Sequence, residues 1–380
     1  MELDVLLNGE VAGTLSYTAS THRYAFRYSP AWLSRKDRYA LGPTLPLELA
    51  VVAHGAEAAV QEQHSAAVRC ASSSRTCCPK GRRLTMRRAR TGSRRATSWG
   101  FWLRWAGRLP GRFSCASPER SWRPWPRSAG LTGNEFFCMR LAHWAKLPVA
   151  EVALVRVPEP VLVVKRFDRE HRPGRVVRRH IIDGCQALGL SSALKYERPY
   201  GDARDVRDLR DGASLPMLFA LLARSPRPVA ERLALLRWTL FQVLIGNTDA
   251  HAKNLSFYVT REGLSLAPAY DLVCGIAFNG ERLLDTYALA IGDAFQAREL
   301  SPFEWAHFAH ACALPFRQLS TELFRMAGRV HEALPKACDD ARHAGVELAQ
   351  IEQIQGLIAA ECERQAEMAP AVAKVDPSLY

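Results

Sequence analysis

The chain has 380 residues, 48% of them hydrophobic, enough apolar material for two or three packed lobes. No stretch approaches 18 uncharged apolar residues, which excludes a membrane-spanning helix, and the start Met-Glu-Leu-Asp has none of the basic and apolar regions of a signal peptide. With ten scattered cysteines read as reduced thiols, the expectation is a cytoplasmic protein with no membrane partner, and the net charge of +13 calls for its own explanation.

Residues 1–69 open with a strand-rich run from Leu3 to Tyr17 and are expected to form a small β-rich subdomain. The following segment holds the whole charge excess. Between Cys70 and Gly130 there are fourteen arginines and one lysine against the single acid Glu119, together with five tryptophans and four cysteines. No helical or strand period persists there, apart from an apolar and basic patch at Phe101–Leu109. Three explanations compete: a basic, aromatic arm that binds nucleic acid, a disordered insert, or GC-rich coding DNA translated off frame. Arginine, serine, proline, cysteine and tryptophan with almost no acid favour the last, so residues 70–133 are expected to be irregular and poorly ordered.

From residue 134 the periodicity is regular. Asn134–Leu147 reads as an amphipathic helix capped by Asn134, followed by a strand pair at Val149–Val157 and Pro160–Phe167. Cys185–Leu190 is a short helical piece stopped by Gly189. Ser214–Arg224 and Val229–Ile245 are helices, the second ending at Gly246 with a left-handed stop. Leu255–Val259 and Leu264–Leu266 form a hairpin around Arg261–Gly263, and helices at Pro302–Ala313, Gln318–Leu334 and Val346–Met368 complete the chain.

The chemistry lies in the loop after Gly246. Asp249 and Asn254 stand in a D-x-x-x-x-N relation, and Asp271 follows the hairpin. In phosphoryl transfer an aspartate orients the acceptor hydroxyl, while an asparagine and a second aspartate hold the divalent cation. An isolated D-x-x-x-x-N is more often a loop of capping residues. The helix before it and the strand with Tyr270-Asp271 after it favour the catalytic reading. His251 and Lys253 would add positive charge or hydrogen bonds beside the phosphates. His180 and His310 have no partner at metal-ligand spacing, so zinc is not expected. Cys185 and Cys274 read as small buried hydrophobes. Lys195–Glu197 reads as a cleft lining or a solvated turn, and Asp293 as a turn or a functional residue.

Several motifs in one order give the chain a resemblance to the HipA-type serine/threonine kinases, the toxins of bacterial toxin–antitoxin modules. They are Asn134–Ala142, Val163–Arg169, Cys185–Gly189, Thr248–Asn254 with Leu255-Ser256, and Pro268–Leu272. The resemblance implies an α+β, protein-kinase-like two-lobed fold. Residues 1–69 would be its β-rich subdomain, 134–200 the remainder of the nucleotide-binding lobe and hinge, and 201–370 the helical lobe with the catalytic loop. It also implies Asp249 as catalytic base and Asn254 and Asp271 as Mg²⁺ ligands. The ATP site would comprise His251, Ala252, Lys253, Asn254, Tyr270 and Asp271, with Lys165, Arg166 and Phe167 as the hinge strand against the adenine.

The implied partners are a HipB-like helix-turn-helix antitoxin, through which alone DNA is contacted, and a protein substrate, with an aminoacyl-tRNA synthetase in the substrate class. Relatives carry a glycine-containing phosphate loop and a phosphate-binding lysine before the segment matching Asn134, and 70–133 matches neither. Weak or absent turnover is therefore expected. A pseudokinase that docks an antitoxin and a nucleic-acid binder acting through 70–130 are the alternatives.

Overall fold

The structure, a computed structural model, describes residues 2–18, 23–47, 101–103, 130–157, 159–278 and 286–380. The chain opens with an antiparallel sheet of β1 (Glu2–Leu7), β2 (Glu10–Thr18) and β3 (Arg23–Tyr28). Asn8 and Gly9 join the first two strands with both residues at positive φ, the two-residue hairpin that Asn-Gly favours. The side chain of Ser29 caps α1 (Pro30–Leu33), which sets Trp32 against Ala12, Phe26, Tyr28 and Leu45 in a small apolar core. This agrees with the strand-rich start read from the sequence.

The second sheet has the order β4 (Phe101–Leu103), β6 (Glu159–Lys165), β5 (Val152–Val157), with all pairs antiparallel. Phe101–Leu103 is thus a strand against Val163–Lys165, inside the segment expected to be irregular. The remainder of that expectation, residues 70–100 and 104–129, lies outside the described residues.

Between β4 and β5 runs α2 (Leu131–Trp144). It starts three residues before the expected cap, with Gly130 at the N-cap position and the Asn134 backbone N–H donating to the Gly130 carbonyl. Asn134 is no cap, because its side chain is engaged elsewhere. Fully buried, it donates from Nδ2 to the Cys274 carbonyl (3.0 Å) and accepts the Cys274 N–H at Oδ1 (2.7 Å).

A hairpin of β7 (Arg169–Arg172) and β8 (Arg175–Arg178) follows, then β9 (Ile181–Asp183). Asp183 and Gln186 form a capping box for α3 (Gly184–Leu188), which ends at Gly189 with φ 72°. Helices α4 (Leu215–Leu222) and α5 (Pro228–Leu244) lead into β10 (Ser256–Thr260) and β11 (Gly263–Leu266), and β9 joins this hairpin as a third antiparallel strand. The strands β7 to β9 were not read from the sequence, since runs of three or four residues, two of them arginine-rich, are too short to show an apolar alternation.

The chain closes with α6 (Pro302–Ala311), α7 (Phe316–His343) and α8 (Leu348–Val372). The main core joins Phe137 and Leu141 of α2, Phe219 of α4, Phe241 of α5, and Trp305 and Phe308 of α6. Helix α7 runs nine residues past the expected end at Leu334 and contains Pro335. A mid-helix proline costs about 3 kcal/mol. Here it faces solvent while Val330, Ala333, Leu334, Ala337, Cys338 and Ala341 keep a buried stripe at helical spacing, and that packing carries the helix through.

The architecture is α+β. No helix among the described residues is long and apolar enough to cross a membrane. Six cysteines, at 138, 185, 274, 312, 338 and 362, are free and buried, and burial pushes the thiols of Cys185 and Cys274 up to about 12, as small hydrophobes require.

Candidate active site

Helix α5 ends where Gly246 takes φ 61°, turning the chain sharply enough for the Asn247 N–H to reach the Gln242 carbonyl at 2.9 Å. The loop that follows is held from beneath by side-chain amides. Buried Asn247 accepts the Asp249 N–H at Oδ1 (3.1 Å) and donates from Nδ2 to Gln242 Oε1 (2.8 Å). Asn254 Nδ2 then donates to the Asp249 carbonyl at 2.9 Å, which ties the two ends of the D-x-x-x-x-N motif together. The carboxylate of Asp249 is engaged separately, by the Tyr196 hydroxyl, which donates to Oδ1 at 2.9 Å.

His251 is buried, with Nε2 3.9 Å from Asp249 Oδ1 and its ring edge-on to Tyr196 at 5.2 Å. Burial first, and the Lys195 ammonium second, bring its pKa down to about 4, so it is neutral at pH 7 and adds no positive charge. That corrects one of the two roles expected for it. Ala252 is fully buried, and its carbonyl lies where a Cβ on Gly184 would stand 2.5 Å away, so glycine at 184 allows the loop to approach α3. The Lys253 ammonium donates to Asp183 Oδ2 at 2.7 Å.

Tyr270 is half-buried between the loop and β10, donating to the Lys253 carbonyl at 2.8 Å and sharing a hydrogen bond with Ser256 Oγ at 2.8 Å. Burial raises its phenol well above the usual range. Phe167 packs against Tyr270 and Tyr258, with ring centroids 5.8 and 6.1 Å apart. Asp271 comes next, in the left-handed region at φ 58°, a conformation that aspartate and asparagine tolerate better than other non-glycine residues.

The fold therefore gathers Asp249, His251, Ala252, Lys253, Asn254 and Tyr270 in one hydrogen-bonded loop, with Phe167 joined through Tyr270 and Asp271 adjoining it in the chain. Lys165 and Arg166, expected beside Phe167 at a hinge, have other partners. Lys165 is 67% exposed on a Glu151 ion pair, and Arg166 holds the buried Asp168 carboxylate, which Arg166 and Arg169 together keep below the usual range against the cost of burial.

The donor chemistry suits a hard divalent cation. The amide of Asn254 spends its nitrogen on Asp249, which leaves the oxygen to act as ligand, and Asp271 supplies a carboxylate. Among the described residues no group of three or more His, Cys, Asp or Glu side chains forms a metal cage. A cation held here would complete its shell with nucleotide phosphate oxygens.

Sequence reasoning missed Gln242 and Asp183 as members of this site, while Tyr196 lay in the Lys195–Glu197 stretch read as a cleft lining or a solvated turn. Only Asp183 had a readable signal, its capping box with Gln186. Tyr196 belongs to no solvated turn, since its neighbour Glu197 is 2% exposed, pairs with Arg210 and accepts the Ala290 N–H at 2.8 Å.

Comparison with known proteins places these features in a family. Residues 122–337 match the HipA-like C-terminal domain and residues 3–116 the HipA N-terminal domain. The chain is 43% identical over 207 residues to a serine/threonine-protein kinase toxin HipA of Shewanella oneidensis, a match that covers 54% of this chain and 47% of that protein. It is 31% identical over 239 residues to a putative kinase, Y4mE, of Sinorhizobium fredii, covering 62% of this chain and 54% of that one. The chain spans about half the length of the curated relatives it matches. Among solved structures it resembles HipA from a Shewanella oneidensis complex of HipA, HipB and operator DNA, at TM-score 0.71 and 27% identity, covering 98% of this chain and 99% of that one.

Proposed function

The chain belongs to the HipA family of protein kinases, and from that premise we propose a two-lobed serine/threonine kinase in which Asp249 orients a protein hydroxyl for attack on the terminal phosphate of ATP. The observation that carries this reading is the bond from Asn254 Nδ2 to the Asp249 carbonyl, which fixes the proposed base and the proposed cation ligand in one loop. Residues 1–69, 134–200 and 201–370 act as the β-rich subdomain, the rest of the nucleotide lobe with the hinge, and the helical lobe.

Each side chain has a defined task in this reading. Asp249 accepts the hydrogen bond of the incoming hydroxyl and takes its proton as the bond to phosphorus forms. Asn254 Oδ1 and the Asp271 carboxylate hold Mg²⁺, which when bound neutralises charge on the phosphates. Neutral His251 stiffens the loop, Lys253 is aimed by Asp183, and Phe167 with Tyr270 gives the adenine an aromatic wall. Lys165 and Arg166 contribute through the hinge backbone, because their side chains are committed elsewhere.

We assign the chain to a toxin–antitoxin system in the cytoplasm, with a HipB-like antitoxin as partner and DNA reached only through it. The operator complex of the similar HipA supports this assignment. The substrate is a protein hydroxyl, with an aminoacyl-tRNA synthetase in the expected class. A second reading, a pseudokinase that binds nucleotide and antitoxin without turnover, is favoured by one feature of the sequence: residues 70–133 match neither the phosphate loop nor the phosphate lysine of relatives.

One experiment separates the two. ATP-dependent phosphate transfer by the full chain, abolished in Asp249→Ala, supports the kinase. Saturable Mg²⁺–ATP binding with no transfer supports the pseudokinase, and absence of nucleotide binding overturns both.

A further inference from the structure

Beneath the loop, helix α5 encloses a small internal cavity of ≈ 20 Å³ together with the segment after residue 285. Its walls include Trp238, Thr239, Gln242, Asn247, Tyr287 and Leu289. Three polar atoms in this wall, Trp238 Nε1, Gln242 Nε2 and Tyr287 Oη, are buried with no protein hydrogen-bond partner. The residues that carry them are 3%, 5% and 7% exposed. Leaving three such groups unpaired in a native interior is costly, and natural proteins rarely do so.

The orientation of Gln242 is fixed from the loop side. A backbone N–H can only donate, so the Asp249 N–H pins the oxygen of Asn247. That turns the Asn247 amide nitrogen toward Gln242, whose oxygen must accept it. The Gln242 amide nitrogen is then the atom left unpaired, as is Trp238 Nε1 of the same cavity lining.

We infer that this cavity binds one resident water molecule. Two donors, Trp238 and Gln242, meet the two lone pairs of a water oxygen. Its hydrogens then serve acceptors, the Tyr287 hydroxyl and Thr239 Oγ1, which has already donated to the Leu235 carbonyl. The space suffices, since one water needs roughly 10–15 Å³ on the same measure, and polar cavities with two to four partners hold water while apolar ones stay dry. The bound water fastens the segment at Tyr287 to α5. Through Gln242 and Asn247 it braces the backbone of Asp249, so Gln242 and Asn247 are positioning residues for the loop.

The test is a crystal structure of the full chain that resolves ordered water, paired with hydrogen exchange of the loop peptide containing Asp249. One density peak within hydrogen-bonding reach of Trp238 Nε1, Gln242 Nε2 and Tyr287 Oη is expected. In Gln242→Leu the Asp249 amide exchanges about tenfold faster, and in the milder Tyr287→Phe by a smaller factor in the same direction. An empty cavity, direct bonds among the three groups, or unchanged exchange in both variants overturns the inference. Neither readout requires phosphate transfer, so the result stands apart from the kinase reading.

Discussion

The hydroxyl of Tyr196 donates to Asp249 Oδ1 at 2.9 Å, while Asn254 holds the backbone carbonyl of the same residue. A phenol in this place holds the rotamer of the aspartate. It is itself held by burial, the nearby carboxylate charge and the hydrogen bond, which together push its pKa well above the usual range.

Tyr196→Phe keeps the ring packed on His251 and removes only the donor. Hydrogen bonds to charged groups are worth roughly 1.5–3 kcal/mol. Asp249-dependent phosphate transfer is expected to fall about tenfold in kcat with little change in the KM for ATP. Steady-state kinetics on the variant checks this, and a matched rise in KM with kcat unchanged contradicts it.

Asp271 carries two burdens, a left-handed backbone and a carboxylate. Asparagine tolerates the same φ, so Asp271→Asn is expected to unfold within a few degrees of the parent while losing Mg²⁺-dependent nucleotide affinity by about tenfold or more. Asp271→Val loses both, since a β-branched residue is strained at positive φ. Thermal melts and calorimetric titration with Mg²⁺–ATP separate the two effects.

Asn134 satisfies both backbone groups of Cys274 from 140 residues away. Asn134→Leu strands a buried N–H and a buried carbonyl, at a cost of about 2–4 kcal/mol by the penalty for unmade bonds. Urea denaturation should show the loss, with the slope of the transition unchanged.

Buried His251 and half-buried His180 are both neutral at pH 7, each brought down to about 4 from 6.5, chiefly by loss of solvent around the ring. The unfolded chain takes up protons at these sites before the native one does. Their contribution is therefore complete above pH 6.5 and is lost as pH falls from 6.5 toward 4, on the order of 3 kcal/mol for each at the acid end. Chemical denaturation at pH 7.5, 6 and 5 measures this fall. His251→Asn should flatten it, and an equally steep slope in that variant would falsify the assignment of the effect to His251.

The helices were legible because their apolar stripes recur at 3.6 residues, and the loop because Gly246 closes α5 just before a run of polar residues. What escaped the sequence was set by tertiary partners. Asn134 looked like a cap by residue type, yet its amide serves a backbone far along the chain. The helix expected to end at Leu334 runs on through Pro335, because the buried stripe beyond it outweighs the proline. Tyr196 bonds Asp249 directly from 53 residues away, and Gln242 reaches it only through the side chain of Asn247, contacts that no local pattern encodes. Asp249, Asn254 and Asp271 were singled out by their spacing together with the helix before and the hairpin after them, the order in which phosphoryl transfer would use those residue types.

The stretch from Tyr287 to Asp293 reaches the loop by two separate routes. Tyr287 faces the cavity behind Gln242, while the Ala290 N–H rests on Glu197, beside the tyrosine that touches Asp249. Arg210 clamps that junction by gripping Glu197, the Gly292 carbonyl and Asp293 at once. A small rigid displacement of this one stretch would slacken the proposed base through Gln242 and through Tyr196 together, so the loop's geometry depends on a segment some forty residues further along the chain.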